Sequence, residues 1–315
     1  MTGNRRKGLI AGSAAIGLWC FTGVCFAAGS RALGPMVYTV CICSVGLGTG
    51  VGLQAVRRMP IADLFQMPRR VWAAGCFGIS VYTVLLVLAV SMADEADVAQ
   101  VVLVNYLWPV FILAASLILL PRQDRVNLRR VFRIIAAGLL GFAGVALARG
   151  PEALMRPPND LAPHAVAFGA AWLWALYCAL LRRWQIPPDR NGSTAQWLVC
   201  AIVAGAVGWL RAEWTRMPGI TWETALWTLG CGIGPVGLAY HWWEIGVKAG
   251  PPQTLAALSF FIPIGSALVM GLYFRASFGP FLLPGAALIV FASYAAHRAE
   301  GADNGQATVE TTGSR

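Results

Sequence analysis

Charge is what this chain is short of. Only 12% of its 315 residues are Asp, Glu, Lys or Arg, and its 14 acids face 24 Lys and Arg. Soluble domains carry about a quarter charged residues, so a water-facing globule is excluded. Histidine is scarcer still, with His164, His241 and His297 set far apart. There is no H-x-x-x-H spacing, no Walker-type loop and no pair of carboxylates inside an apolar run. An integral-membrane enzyme needs such clusters, so neither catalysis nor a metal or other cofactor is expected. The eight cysteines (20, 25, 41, 43, 76, 178, 200 and 231) show no C-x-x-C spacing, which suits small buried hydrophobes.

What is present is apolar. Hydrophobic residues make up 57% of the chain, and mean hydropathy is +0.63. Ten apolar stretches lie near 8–28, 34–56, 70–91, 97–120, 131–149, 162–181, 194–210, 223–247, 251–274 and 279–296. Each is long enough for a hydrocarbon core of about 30 Å, which predicts an all-α integral membrane protein with ten transmembrane helices. The first follows Arg5, Arg6 and Lys7 but outruns the apolar core of a signal peptide, so it reads as a span. With the N-terminus inside, 18 of the 24 basic residues fall in cytoplasmic segments, and the loop holding Asp94, Glu95 and Asp97 lies outside. Both termini are expected in the cytoplasm. The net charge of +10 is therefore a topology signal, and no nucleic-acid partner is implied.

The fourth and ninth stretches carry Pro109 and Pro263, 154 residues apart, each with a small polar residue four positions earlier, Asn105 and Ser259. A weaker match pairs GCFGI from Gly75 with GCGIG from Gly230. The Pro-rich segment 150–161 divides five stretches from five. Because five is odd, the second half must enter the membrane from the opposite side. The expected plan is a five-helix repeat over 1–149, a linker over 150–161, an inverted repeat over 162–297 and a disordered polar tail over 298–315.

Proline within a helix gives no N–H and pushes away the carbonyl four residues earlier, here that of Asn105 or Ser259. Pro235, in the eighth stretch, makes a third central interruption. Such breaks persist in hydrocarbon where they face protein or a wet cavity. One reading gives a substrate site where the halves meet; the other gives packed helices that merely bend. Tyr82 stands in the middle of the third stretch, and Asn105 and Trp108 share a helical face. The competing reading makes Asn105 interhelical glue and turns Trp108 to lipid. Trp19, Trp172, Trp174 and Tyr177 read as packing, and Trp72, Trp184, Trp197, Trp214 and Trp222 as interfacial anchors. His241, Glu244 and Lys248 can share one helix face toward the cytoplasmic boundary, either as a gate or as a snorkelling interfacial pair. His241 can also touch substrate.

Ten spans in two inverted halves, each with a proline in its fourth span, resemble the drug/metabolite transporter superfamily of the EamA type. The segment VNYLWP at 104–109 is similar to that superfamily's aromatic amino-acid exporter branch. The second half has Phe260 and Ile262 where the first has Tyr106 and Trp108, so the halves differ chemically. The resemblance implies a monomeric exporter in the bacterial inner membrane, working by alternating access on aromatic and other hydrophobic amino acids. Its expected substrate site is Tyr82, Asn105, Trp108, His241 and Ser259. Carbonyls freed by the prolines would meet the ammonium, and Asn105 or His241 the carboxylate. Efflux of other small metabolites or drugs is the alternative, followed by a non-transporting membrane scaffold.

Overall fold

The computed structural model describes residues 3–95, 97–119, 128–150, 155, 157–188, 190, 192–216, 220–275, 279–292 and 294–295. The expected tail over 298–315 and parts of the linker lie outside them. The described residues are helical and contain no strand. Hydrocarbon offers no partner to an unpaired peptide group, so a chain this apolar satisfies its backbone within helices.

In chain order the helices are α1 (Gly3–Trp19), α2 (Thr22–Leu33), α3 (Pro35–Val56), α4 (Arg69–Met92), α5 (Val98–Asn105), α6 (Trp108–Leu119) and α7 (Leu128–Arg149). The second half holds α8 (Ala162–Arg183), α9 (Ser193–Leu210), α10 (Trp222–Cys231), α11 (Ala239–Ala249), α12 (Pro252–Ser259), α13 (Phe261–Phe274) and α14 (Leu282–Ala292). Six helical stretches are long and apolar enough to cross a membrane, or seven when α1 and α2, bent by 41°, count as one. The apolar pieces Ile135–Arg149 and Leu282–Ala292 are shorter.

The irregularities come in matched places. A π-helical turn spans Cys76–Val81 inside α4, and another, Gly232–Leu238, joins α10 to α11 with Pro235 inside it. The GCFGI and GCGIG matches fall on these two turns. Breaks before Pro109 and Pro263 likewise end α5 at Asn105 and α12 at Ser259. Both prolines therefore stand in the first turn of a new helix, where a missing N–H is least costly.

Packing crosses between the halves. The α1 helix lies on α11, α4 on α8, and α3 on α9. The first contact depends on glycine: a Cβ at Gly8 would come 2.4 Å from the Gly250 nitrogen, and one at Gly246 would come 2.9 Å from Gly12 Cα. Small residues of this kind let membrane helices approach backbone to backbone, where dispersion rather than hydrophobicity holds them. At the opposite end α2 turns into α3 at Gly34, whose φ of 81° suits a residue without Cβ. Glu213 from the second half caps that turn, accepting from Met36 N at 2.8 Å.

Candidate functional site

The breaks at Pro109 and Pro235 and the π turn of α4 border a nest of aromatic rings. Trp19, at the end of α1, lies 6.4 Å from Trp108, 6.1 Å from Trp174 and 5.2 Å from both Tyr240 and Trp243, measured between centroids. Tyr82 stacks on Trp174 at 5.5 Å, and Trp108 meets Trp243 edge to face at 5.5 Å. Offset stacking and edge-to-face contacts are the favoured ring geometries, adding about 1 kcal/mol each beyond area burial. The Trp19 indole N–H donates to the Pro235 carbonyl at 3.1 Å, tying the nest to the second π turn.

Polar atoms in the nest are few. The Asn105 side chain reaches the Tyr82 hydroxyl, while Asn105 Oδ1 is buried with no hydrogen-bond partner. An unmet buried acceptor costs about 1–3 kcal/mol, so this atom is a ready partner for an incoming N–H donor. Thr83 Oγ1 is likewise buried, beside the Tyr240 hydroxyl.

Of the five residues expected at a substrate site, Tyr82, Asn105 and Trp108 come together around Trp174. His241 and Ser259 have other partners. The His241 Nε2 atom sits 3.2 Å from an Arg57 guanidinium nitrogen. A guanidinium only donates, so Nε2 accepts and the ring proton sits on Nδ1. The Ser259 hydroxyl is fully buried and donates to the Ala256 carbonyl of its own helix at 2.6 Å. Pro263 has no N–H to offer the Ser259 carbonyl.

Trp108 is buried, which removes the reading that turned it to lipid. Trp197, expected as an interfacial anchor, is also buried, its ring 4.6 Å from Tyr240. Closeness to a helix end does not measure exposure when another helix covers that end. Trp222, by contrast, is 79% exposed. Trp19 and Trp174, expected as packing, are buried and pack at the middle of the nest. One sequence signal would have found them: they stand 155 residues apart, nearly the spacing of Pro109 and Pro263.

Glu244 and Lys248 form a buried ion pair at 2.6 Å, their side chains 2% and 1% exposed, so they are not a solvent-facing interfacial pair. Glu244 also accepts from the Tyr177 hydroxyl at 2.8 Å and from Gly192 N at 3.2 Å, while Lys248 donates to the Arg190 carbonyl at 2.5 Å. These extra bonds offset desolvation that a bare buried pair would not overcome. Sequence spacing pointed to the Glu–Lys pair but not to Tyr177 or Gly192, which come from other elements. Among the described residues, no three His, Cys, Asp or Glu side chains gather in a group that could hold a metal.

The described residues thus form a bundle of interrupted apolar helices around a ring nest, six or seven of its helical stretches long and apolar enough to cross a membrane. Residues 162–296 match the model of the EamA-like transporter family. Over most of its length it is similar to curated proteins named "Aromatic amino acid exporter YddG". The one from Ancylobacter novellus is 27% identical over 277 residues, 85% of this chain and 88% of the relative. Those from Salmonella typhimurium and Escherichia coli are each 25% identical, covering 85% and 84% of this chain and 88% and 87% of their own. A solved crystal structure, described only as that of a protein, superposes with a TM-score of 0.78 at 26% identity, covering 92% of this chain and 96% of its own.

Proposed function

We propose that this protein exports aromatic and other hydrophobic amino acids across the bacterial inner membrane by alternating access. The observation that carries the reading is the ring nest with an unpaired amide carbonyl, Asn105 Oδ1, buried among Tyr82, Trp108 and Trp174. A flat apolar side chain can take the place of one ring contact, and the amide can meet the ammonium. Similarity to aromatic amino acid exporters over most of the chain supports the same substrate class.

The proposed architecture is ten spans in two inverted five-helix repeats, with both termini cytoplasmic. Support comes from the paired π turns, the paired breaks before Pro109 and Pro263, and the exchanged packing of α1 on α11 and α4 on α8. In this frame Tyr82, Asn105, Trp108 and the Ser259 carbonyl belong to the central site, joined by Trp19, Trp174 and Trp243. His241 and Arg57 stand at the cytoplasmic approach, where cationic and imidazole groups suit an arriving carboxylate. Glu244 and Lys248 form the cytoplasmic gate.

Counterflow into liposomes loaded with single amino acids tests the reading. Exchange of Phe, Tyr or Trp above that of Asp or Lys is the expected result. Exchange of none of the aromatic amino acids would overturn it and put efflux of other metabolites or drugs in its place.

A further inference from the structure

Tyr177 belongs to two neighbourhoods at once. Its ring lies 5.8 Å from that of Trp174, inside the nest, and its hydroxyl donates to Glu244 Oε1 at 2.8 Å. The other carboxylate oxygen takes Lys248 Nζ and Gly192 N, so α8, the α8–α9 connection and α11 are fastened at one point. Arg182, one turn further along α8, donates to the Gly250 carbonyl at 3.2 Å and the Val247 carbonyl at 3.5 Å, adding a second tie to the end of α11. Buried carboxylates are tolerated only with their donors in place, so losing one donor weakens the whole fastening.

The backbone of α4 holds Tyr177 from the other side. A Cβ added at Gly78, in the first π turn, would come 2.1 Å from Tyr177 Cβ. The phenol is thus lodged between a π turn of the first half and the carboxylate of the second. The first half has no such fastening at its matching positions. The residue 155 places before Tyr177 is Thr22, whose hydroxyl is buried without a partner, and the residue 155 places before Glu244 is Ala89.

We propose that Tyr177 is a positioning residue that couples occupancy of the ring nest to opening of the Glu244 fastening, and hence of the end of the molecule that carries Arg57 and Lys248. A substrate ring entering beside Trp174 shifts the phenol, and Glu244 loses one of its three donors. The proposal rests on the transport reading above.

Cys178, the next residue, is a native reporter: it is buried and accepts the Trp243 indole N–H at 3.4 Å, at the seam between α8 and α11. Alkylation of Cys178 by N-ethylmaleimide is followed by peptide mass spectrometry, using full-length protein in phosphatidylethanolamine–phosphatidylglycerol vesicles. Tyr177→Phe and Glu244→Gln each raise the basal rate about tenfold, the worth of a hydrogen bond to a charged group, and the double variant reacts no faster than either. L-phenylalanine speeds alkylation in the parent. It has no effect in Tyr177→Phe, although that variant binds L-phenylalanine as tightly as the parent or up to about tenfold tighter, because binding no longer has to break the fastening; loss of packing alone would weaken binding instead. Additive rates in the double variant, or a preserved response in Tyr177→Phe, overturn the proposal. If the parent binds no L-phenylalanine, the amino-acid reading falls by itself, and the fastening is judged by the double-mutant cycle, where additivity overturns it.

Discussion

At the scale of single residues, the proposed function separates side chains that would touch substrate from those that hold the frame. Removing the ring at Trp108 or the amide at Asn105 forfeits a contact worth about 1 kcal/mol or a little more. Trp108→Ala and Asn105→Ala are therefore expected to weaken apparent affinity for Phe, Tyr or Trp roughly tenfold in protein that still inserts. Uptake into liposomes, normalised to folded protein, measures this, and parent kinetics in both variants would remove the site. Trp72 lies outside the nest, its indole N–H bonded to the Phe65 carbonyl at 3.0 Å. Trp72→Ala should lower stability and leave the affinity of the surviving protein unchanged, as a thermal melt run beside the uptake assay would reveal.

At the scale of elements, α1 and α11 approach backbone to backbone where Gly12 faces Gly246. A Leu at Gly246 needs a Cβ 2.9 Å from Gly12 Cα, backbone that cannot swing aside as a flexible side chain would. Gly246→Leu should part the helices by more than an ångström and pull Trp19 away from Trp243. The expected result is a marked fall in melting temperature by size-exclusion thermal profiling; an unchanged melt would mean that the glycines are not needed for the approach. Gly17 is the control, since its Cβ position meets nothing within 4 Å and Gly17→Ala should be tolerated. Much at this scale was legible beforehand. Proline and glycine act through the local backbone, so the breaks before Pro109 and Pro263 and the interruption at Pro235 could be read directly. The turn at Cys76–Val81 contains no proline, and only the faint GCFGI match pointed to it.

At the scale of the whole molecule, the proposed inverted repeat makes a geometric demand. Single cysteines in the 93–97 and 57–70 loops of a cysteine-free background should react with an impermeant maleimide from opposite sides of the membrane. Labelling of both from the same side would refute the arrangement. The 18-to-6 division of basic residues sets the expected sides, because cytoplasmic segments retain Lys and Arg.

Composition and the positions of Pro109, Pro235 and Pro263 determined the helical membrane class and the main interruptions, because apolarity and the missing proline N–H act through solvent and local backbone. Which side chains meet was decided only by tertiary structure. Trp19 and Trp174 enter the nest because α1 and α8 are carried to the centre by packing on the opposite half, and Trp197 is buried because Tyr240 covers it. Glu244 acquires Tyr177 and Gly192 from 67 and 52 residues away, a juxtaposition that no local pattern encodes because it depends on where separate helices cross.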